Sequence, residues 1–158
     1  MPKRSKRKTF ILSFPEVVGI LREEVVLLAS LSAEALLHER TGLSAGGILA
    51  PALIALHLGE ARFLLEFSIL TAFAYLSAGL ISLLVPLYGR RALYASVLAG
   101  ALARVLAAQV LQAPGYHGLL LSVAPGILAH QMRVQGVLLT LSATASATAF
   151  AYCAGVLL

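Results

Sequence analysis

The chain has 158 residues, of which 59% are apolar and 12% charged, with a mean hydropathy of +0.91. That balance belongs to a polytopic membrane protein and excludes an ordinary soluble domain. The net charge of +5 is unevenly placed: Lys3, Arg4, Lys6, Arg7 and Lys8 form a basic tail, there is no Asp, and no Glu follows Glu66.

Residues 1–16 read as this tail plus an interfacial lead. The apolar stretch Phe10–Phe14 is too short for a cleaved signal peptide and runs into Pro15 and Glu16. A basic arm on a membrane protein is expected in the cytoplasm near anionic lipid, where it also offers a docking point for a cytoplasmic partner. No aromatic platform accompanies it, so nucleic acid is not an expected ligand.

Downstream, four stretches approach the roughly 20 residues that a helical span requires: Val17–Leu37, Phe63–Leu87, Ala92–Leu111 and Val137–Leu158. Arg22, Glu23 and Glu24 interrupt the first, which leaves open a start near Val25 with Thr9–Leu21 in the interface. Between the long stretches lie two shorter ones, Leu43–Leu58 and Gly118–Met132, carrying Pro51 and Pro125 in the related runs A-P-A-L-I-A and A-P-G-I-L-A. A helix of about 16 residues reaches about 24 Å, short of a bilayer core of roughly 30 Å. Each is expected to be a re-entrant hairpin or a broken half-helix.

The two runs are 74 residues apart, and the same offset carries Val17–Leu37 onto Arg91–Leu111 and Arg62–Leu84 onto Gly136–Leu158. The fold class expected is therefore all-α and polytopic, with an internal two-fold repeat of residues 17–87 and 88–158. It comprises four long transmembrane helices and two short Pro-broken segments. Such paired interruptions point to a binding site. If both short segments are re-entrant, the tail and Arg90–Arg91 share the cytoplasmic side and the repeats are parallel, which the positive-inside rule favours. If both cross, Arg90 and Arg91 face outward and the repeats are inverted.

Small residues recur every fourth position at Ala143, Ala147, Ala151 and Gly155, and at Ala99, Ala103 and Ala107. Such ladders let helix backbones approach, inside one bundle or against a second subunit or another copy. The lone Cys153 reads as a small buried hydrophobe.

Glu34 shares a stripe with Arg22, Val26, Ser30 and His38. A carboxylate at membrane depth costs about 2.5–3.5 kcal/mol on insertion scales, so it is expected to face the interior or water. It is read either as a partner of His38 or as a polar-path or proton site. Arg104 must also find an anion or water. The repeat sets it on the face equivalent to that of Glu34, one turn away, so a Glu34–Arg104 pair is one expectation and an anionic-ligand contact the other. Gly42, Gly46, Gly47, Pro51, Pro125 and Gly126 mark the breaks, where a half-helix start would present N–H groups to carboxylates. No P-loop, zincin motif or nucleophile elbow is present, and the four His have no metal-ligand spacing, so no catalytic or metal residue is assigned.

Glu39–Arg40–Thr41–Gly42, Gly47–Pro51, Leu87–Arg91, Val123–Ala129 and Gln135–Gly136, in this order and spacing, resemble the membrane subunit of poly-γ-glutamate synthesis, the CapC/PgsC family. The similarity covers Val25–Leu158, departing where Ala52 follows Pro51 in place of the family's Gly. It implies a non-catalytic subunit of a bacterial plasma-membrane complex. A separate Mur-ligase-like amide ligase would use ATP and Mg in the cytoplasm, and a surface-anchored subunit would assist export. The polyanionic product would draw on Arg104, Arg133, Arg40, Arg90 and Arg91 for compensation. Arg90, Arg91 and the basic tail would also dock the ligase. A stand-alone small anion carrier or channel is the alternative reading.

Overall fold

The computed structural model describes residues 14–84, 89–111 and 118–157, so the basic tail, Leu87–Tyr88 and Pro114–Gly115 lie outside the described residues. Six helices and no strand occur among them: α1 (Phe14–Thr41), α2 (Leu49–Leu56), α3 (Ala61–Leu84), α4 (Arg90–Leu111), α5 (Gly118–Gln135) and α6 (Val137–Val156). Two of them, α3 and α6, are long and apolar enough to cross a membrane.

The helix boundaries follow local chemistry. α1 is one helix from Phe14, with Pro15 in its first turn, where a missing N–H is tolerated. The charges at Arg22–Glu24 do not divide it, because they lie on its exposed side. It stops at Gly42, whose φ of 70° is the left-handed C-terminal conformation that favours glycine. Pro51 is the third residue of α2, where the N–H groups are unpaired in any helix. Gly136, with φ 98°, makes the one-residue corner between α5 and α6.

The packing contacts fix the directions of the helices. Val26 of α1 lies against Gly155 of α6, while Ala33 clusters with Ala143 and Ala147, so α1 and α6 are antiparallel. Glu66 meets Arg104, and Ile81 shares a groove with Ala95 and Leu98, so α3 and α4 are antiparallel. Gly126 meets Val97 and Gly100 meets Ser122, so α4 and α5 are antiparallel as well. The stretch 42–58 enters beside Gln135 and leaves with His57 stacked on Phe63, at the opposite end of the bundle. The chain thus passes the length of the bundle six times in alternation, and the start of α1 and the start of α4 lie at opposite ends.

This corrects the expectation that both segments are re-entrant and agrees with the crossing alternative, since the start of α1 and Arg90–Arg91 lie at opposite ends. The first segment traverses the bundle as a non-helical stretch followed by α2. The second is a continuous helix of 18 residues despite Pro125.

Each half reaches into the other: α6 packs on α1 and α2, and α3 packs on α4 and α5. Exchanging α1 with α4, α2 with α5 and α3 with α6 maps one set of neighbours onto the other. The contact of α5 with α6 has no equal between α2 and α3. The ladder Ala143–Ala147–Ala151–Gly155 is buried within this packing, as are Ala99 and Ala103. Cys153, expected inside, is exposed, because the ladder takes the inner face of α6.

Candidate functional site

The non-helical stretch between α1 and α2 is where most of the described interior polar contacts gather. The Ser44 hydroxyl donates to Glu34 Oε1 at 2.5 Å, and the Ala45 N–H donates to Glu34 Oε2 at 2.7 Å. The Ser44 N–H donates to Gln135 Oε1 at 3.1 Å, and Gln135 Nε2 donates to Gln131 Oε1 at 3.1 Å. Thr144 Oγ1 donates to the Ala45 carbonyl at 2.9 Å, and Ser30 Oγ to the Ile48 carbonyl at 2.6 Å. Side chains of α1, α5 and α6 thereby replace the helical bonds that this backbone lacks. Ala45 and Gly46 are buried, so water is not the substitute.

Glycine makes the path possible. Gly46 and Gly47 have φ of 84° and 76°, and Gly46 lies so close to Leu128 of α5 that a Cβ there would collide with its side chain. The equivalent stretch of the second half is Leu119–Leu120–Leu121, which forms the first turns of α5. There glycine serves packing instead. A Cβ on Gly126 would lie 2.6 Å from Val97 Cα and 2.7 Å from the Ser96 carbonyl oxygen, and one on Gly100 would lie 3.0 Å from the Ser122 carbonyl.

Arg104 does not meet Glu34. Its Nη1 donates to Glu66 Oε1 at 2.5 Å, with side-chain exposures of 9% and 17%. The reason lies in the alternation of passes. The antiparallel packing of α3 on α4 brings Glu66 to Arg104, whereas α1 packs on α6 and α2, away from α4. Nor does Glu34 turn to His38, which is exposed. Sequence reasoning passed over Glu66, Gln135 and Thr144. The signal for Glu66 was available: it is the one carboxylate in the apolar run after Arg62, and such a group requires a cation.

The remaining arginine candidates sit at one end of the bundle. Arg133 Nη2 donates to Ser82 Oγ at 2.7 Å, Arg40 is exposed in the last turn of α1, and Arg90 and Arg91 open α4, exposed. Between α3 and α6 lies a cavity of about 680 Å³ floored by α2 and α5. Its lining includes Ile54 with Leu128, Leu58 with Met132, Phe67 with Leu141, Thr71 with Ala145 and Tyr75 with Ala149. The members of each pair are 74 residues apart. Thr148 also lines it, and its buried hydroxyl has no hydrogen-bond partner.

A family model, described as capsule biosynthesis CapC, matches residues 29–141, which include both Pro-containing segments and most of the chain. No curated protein and no solved structure matches the chain.

Proposed function

The chain belongs to the capsule biosynthesis CapC family, and on that premise we propose that it is the integral-membrane subunit of a poly-γ-glutamate synthase and export complex. It scaffolds a cytoplasmic ATP- and Mg-dependent amide ligase and helps the polyanionic chain cross the membrane. A surface-anchored subunit completes the complex. The observation that carries this reading is the non-helical stretch 42–48, buried at Ala45 and Gly46 and fastened by Glu34, Gln135, Thr144 and Ser30. In a bilayer, irregular backbone persists only where protein or a water-filled path surrounds it, and such interruptions mark substrate pathways.

In this reading the six passes are membrane crossings and the halves are inverted repeats. Support comes from the exchangeable helix neighbours and from the 74-residue pairs lining the α3–α6 cavity. With the tail in the cytoplasm, Lys3, Arg4, Lys6, Arg7 and Lys8 dock the ligase. Arg40, Arg90, Arg91 and Arg133 then face outward and compensate the carboxylates of the emerging polymer.

The experiment is complementation of cells lacking the chain, with polymer measured separately in the cytoplasm and at the surface. Wild type restores surface polymer. Replacing the four outward arginines by Gln lowers surface polymer while the ligase still copurifies. Replacing the five basic tail residues by Gln loses the ligase. Normal surface polymer in cells lacking the chain overturns the proposal.

A further inference from the structure

We infer that the cavity between α3 and α6 is the seat of one further transmembrane helix, supplied by another chain, with small side chains on the face it turns to the groove. The inference rests on the reading of the bundle as membrane-spanning. α3 packs on α4 and α5, and α6 on α1, α2 and α5, so the two helices long and apolar enough to cross a membrane flank a gap. Along α6 the lining runs from Val137 to Ala149, about 18 Å or just over three helical turns, so the site is elongated. No described lining residue is charged, which calls for an apolar occupant.

Two observations select a helix over a lipid. The first is an unsatisfied donor. Thr41, Thr71, Thr140 and Thr144 each donate to the carbonyl four residues back in their own helices. Thr148 lines the cavity and is only 6% exposed, yet its hydroxyl has no partner among the described residues. It is the twelfth of the 20 residues of α6, near mid-depth. Lipid ester carbonyls lie at the edge of a hydrocarbon core roughly 30 Å thick, about 15 Å from its middle, and acyl chains accept no hydrogen bond. A transmembrane helix carries backbone carbonyls at every depth, each with a second lone pair.

The second observation is the size of the side chains on the walls. Ser68 and Ala72 of α3, and Ala145 and Ala149 of α6, are small residues four apart that line the gap. Such pairs let another backbone approach closely. Meeting a hydroxyl as deep as that of Thr148 requires that approach, which Gly, Ala or Ser on the visiting face allows. This chain has no such face to spare. Its ladder Ala143–Ala147–Ala151–Gly155 is buried in its own packing, and the outer faces of α1 and α4 carry Leu28, Leu31, Leu98 and Leu102. The occupant is therefore a helix of a different protein rather than of a second copy.

The test uses the full chain in lipid vesicles, carrying Cys153→Ser and one new cysteine, either Ala145→Cys in the groove or Leu28→Cys on the exposed face of α1. The probe is a leucine peptide of about 20 residues with glycine at every fourth position on one face and a central cysteine. Oxidation with copper phenanthroline is expected to link the probe at Ala145→Cys and not at Leu28→Cys. A probe with leucine in place of the glycines does not link. Thr148→Val lowers the linking about threefold to tenfold. The unfolding midpoint of that variant alone stays or rises, because an unpaired buried hydroxyl is gone. No linking, equal linking at both positions or by both probes, or a lowered midpoint overturns the seat. Linking of Ala145→Cys between two copies gives the groove to a second copy, and a copurified lipid that the probe fails to displace gives it to lipid; either also overturns it. The assay contains neither ligase nor polymer, so its failure discards the helix seat and leaves the export reading standing.

Discussion

The two Pro-containing segments share a motif and a position in their halves, yet the chain folds them differently. The first descends as non-helical backbone through 42–48 and becomes helical only at Leu49, whereas the second is helical from Gly118. The first depends on side-chain hydrogen bonds from three neighbouring helices. The second depends on backbone contact between Gly126 and α4. The helices before them diverge in the same way. Ser30 fastens its own half at Ile48, while its counterpart 74 residues on, Arg104, is fastened to Glu66 of the other half. Two similar Pro-containing runs therefore do not by themselves set the backbone; the residues around each decide whether it is helical there.

Breaking the Arg104–Glu66 pair has the largest expected effect. Arg104→Ala leaves a largely buried carboxylate unpaired and destabilises the bundle by about 3–5 kcal/mol. Thermal unfolding in detergent measures it, and Glu66→Gln in the same chain recovers part of the loss. No recovery would mean that the two groups are not coupled.

Gly126→Val comes next, at about 3 kcal/mol, because a side chain would meet the α4 backbone rather than a movable group. If the variant unfolds at the wild-type temperature, the close α4–α5 contact is not what stabilises the second segment.

Gly46→Ala is expected to lose about 1–2 kcal/mol from the left-handed backbone, plus the collision with Leu128. Adding Leu128→Ala removes the collision but not the backbone strain, so unfolding midpoints of the single and double variants separate the two. An unchanged midpoint in Gly46→Ala would show that the stretch 42–48 is not fixed as described.

The smallest effect is Ala52→Gly, which gives the first segment the glycine of the second. A loss of about 1 kcal/mol is expected, the cost of glycine inside a helix, since the packing there already seats the Cβ of buried Ala52. Matching the Gly126→Val effect in size would mean that the two segments pack alike after all.

Much of the fold was legible in one dimension. The long apolar runs, the Pro–Gly punctuation and the four-residue ladders of small side chains set the helix number and the buried face of α6. Legibility ended where two segments of similar composition needed different backbone. Gly46–Gly47 against Leu120–Leu121 carried that distinction, because glycine tolerates positive φ and leucine favours helix. Glu34 and Arg104 were legible as polar groups in apolar runs, but their partners were not. Glu66 lies 38 residues from Arg104, and Gln135 lies 91 from Ser44.

By itself the sequence determined the helical class, the concentration of positive charge, the 74-residue spacing of the two similar Pro-containing runs and the family, because hydropathy, periodicity and motif order are properties of the chain. Only the tertiary structure decided that the first segment runs the length of the bundle, that Arg104 answers Glu66, and that Glu34 holds backbone in place of a cation. Each of these depends on which helices become neighbours. Alternating passes and close glycine contacts settle that across distances over which local sequence carries no preference.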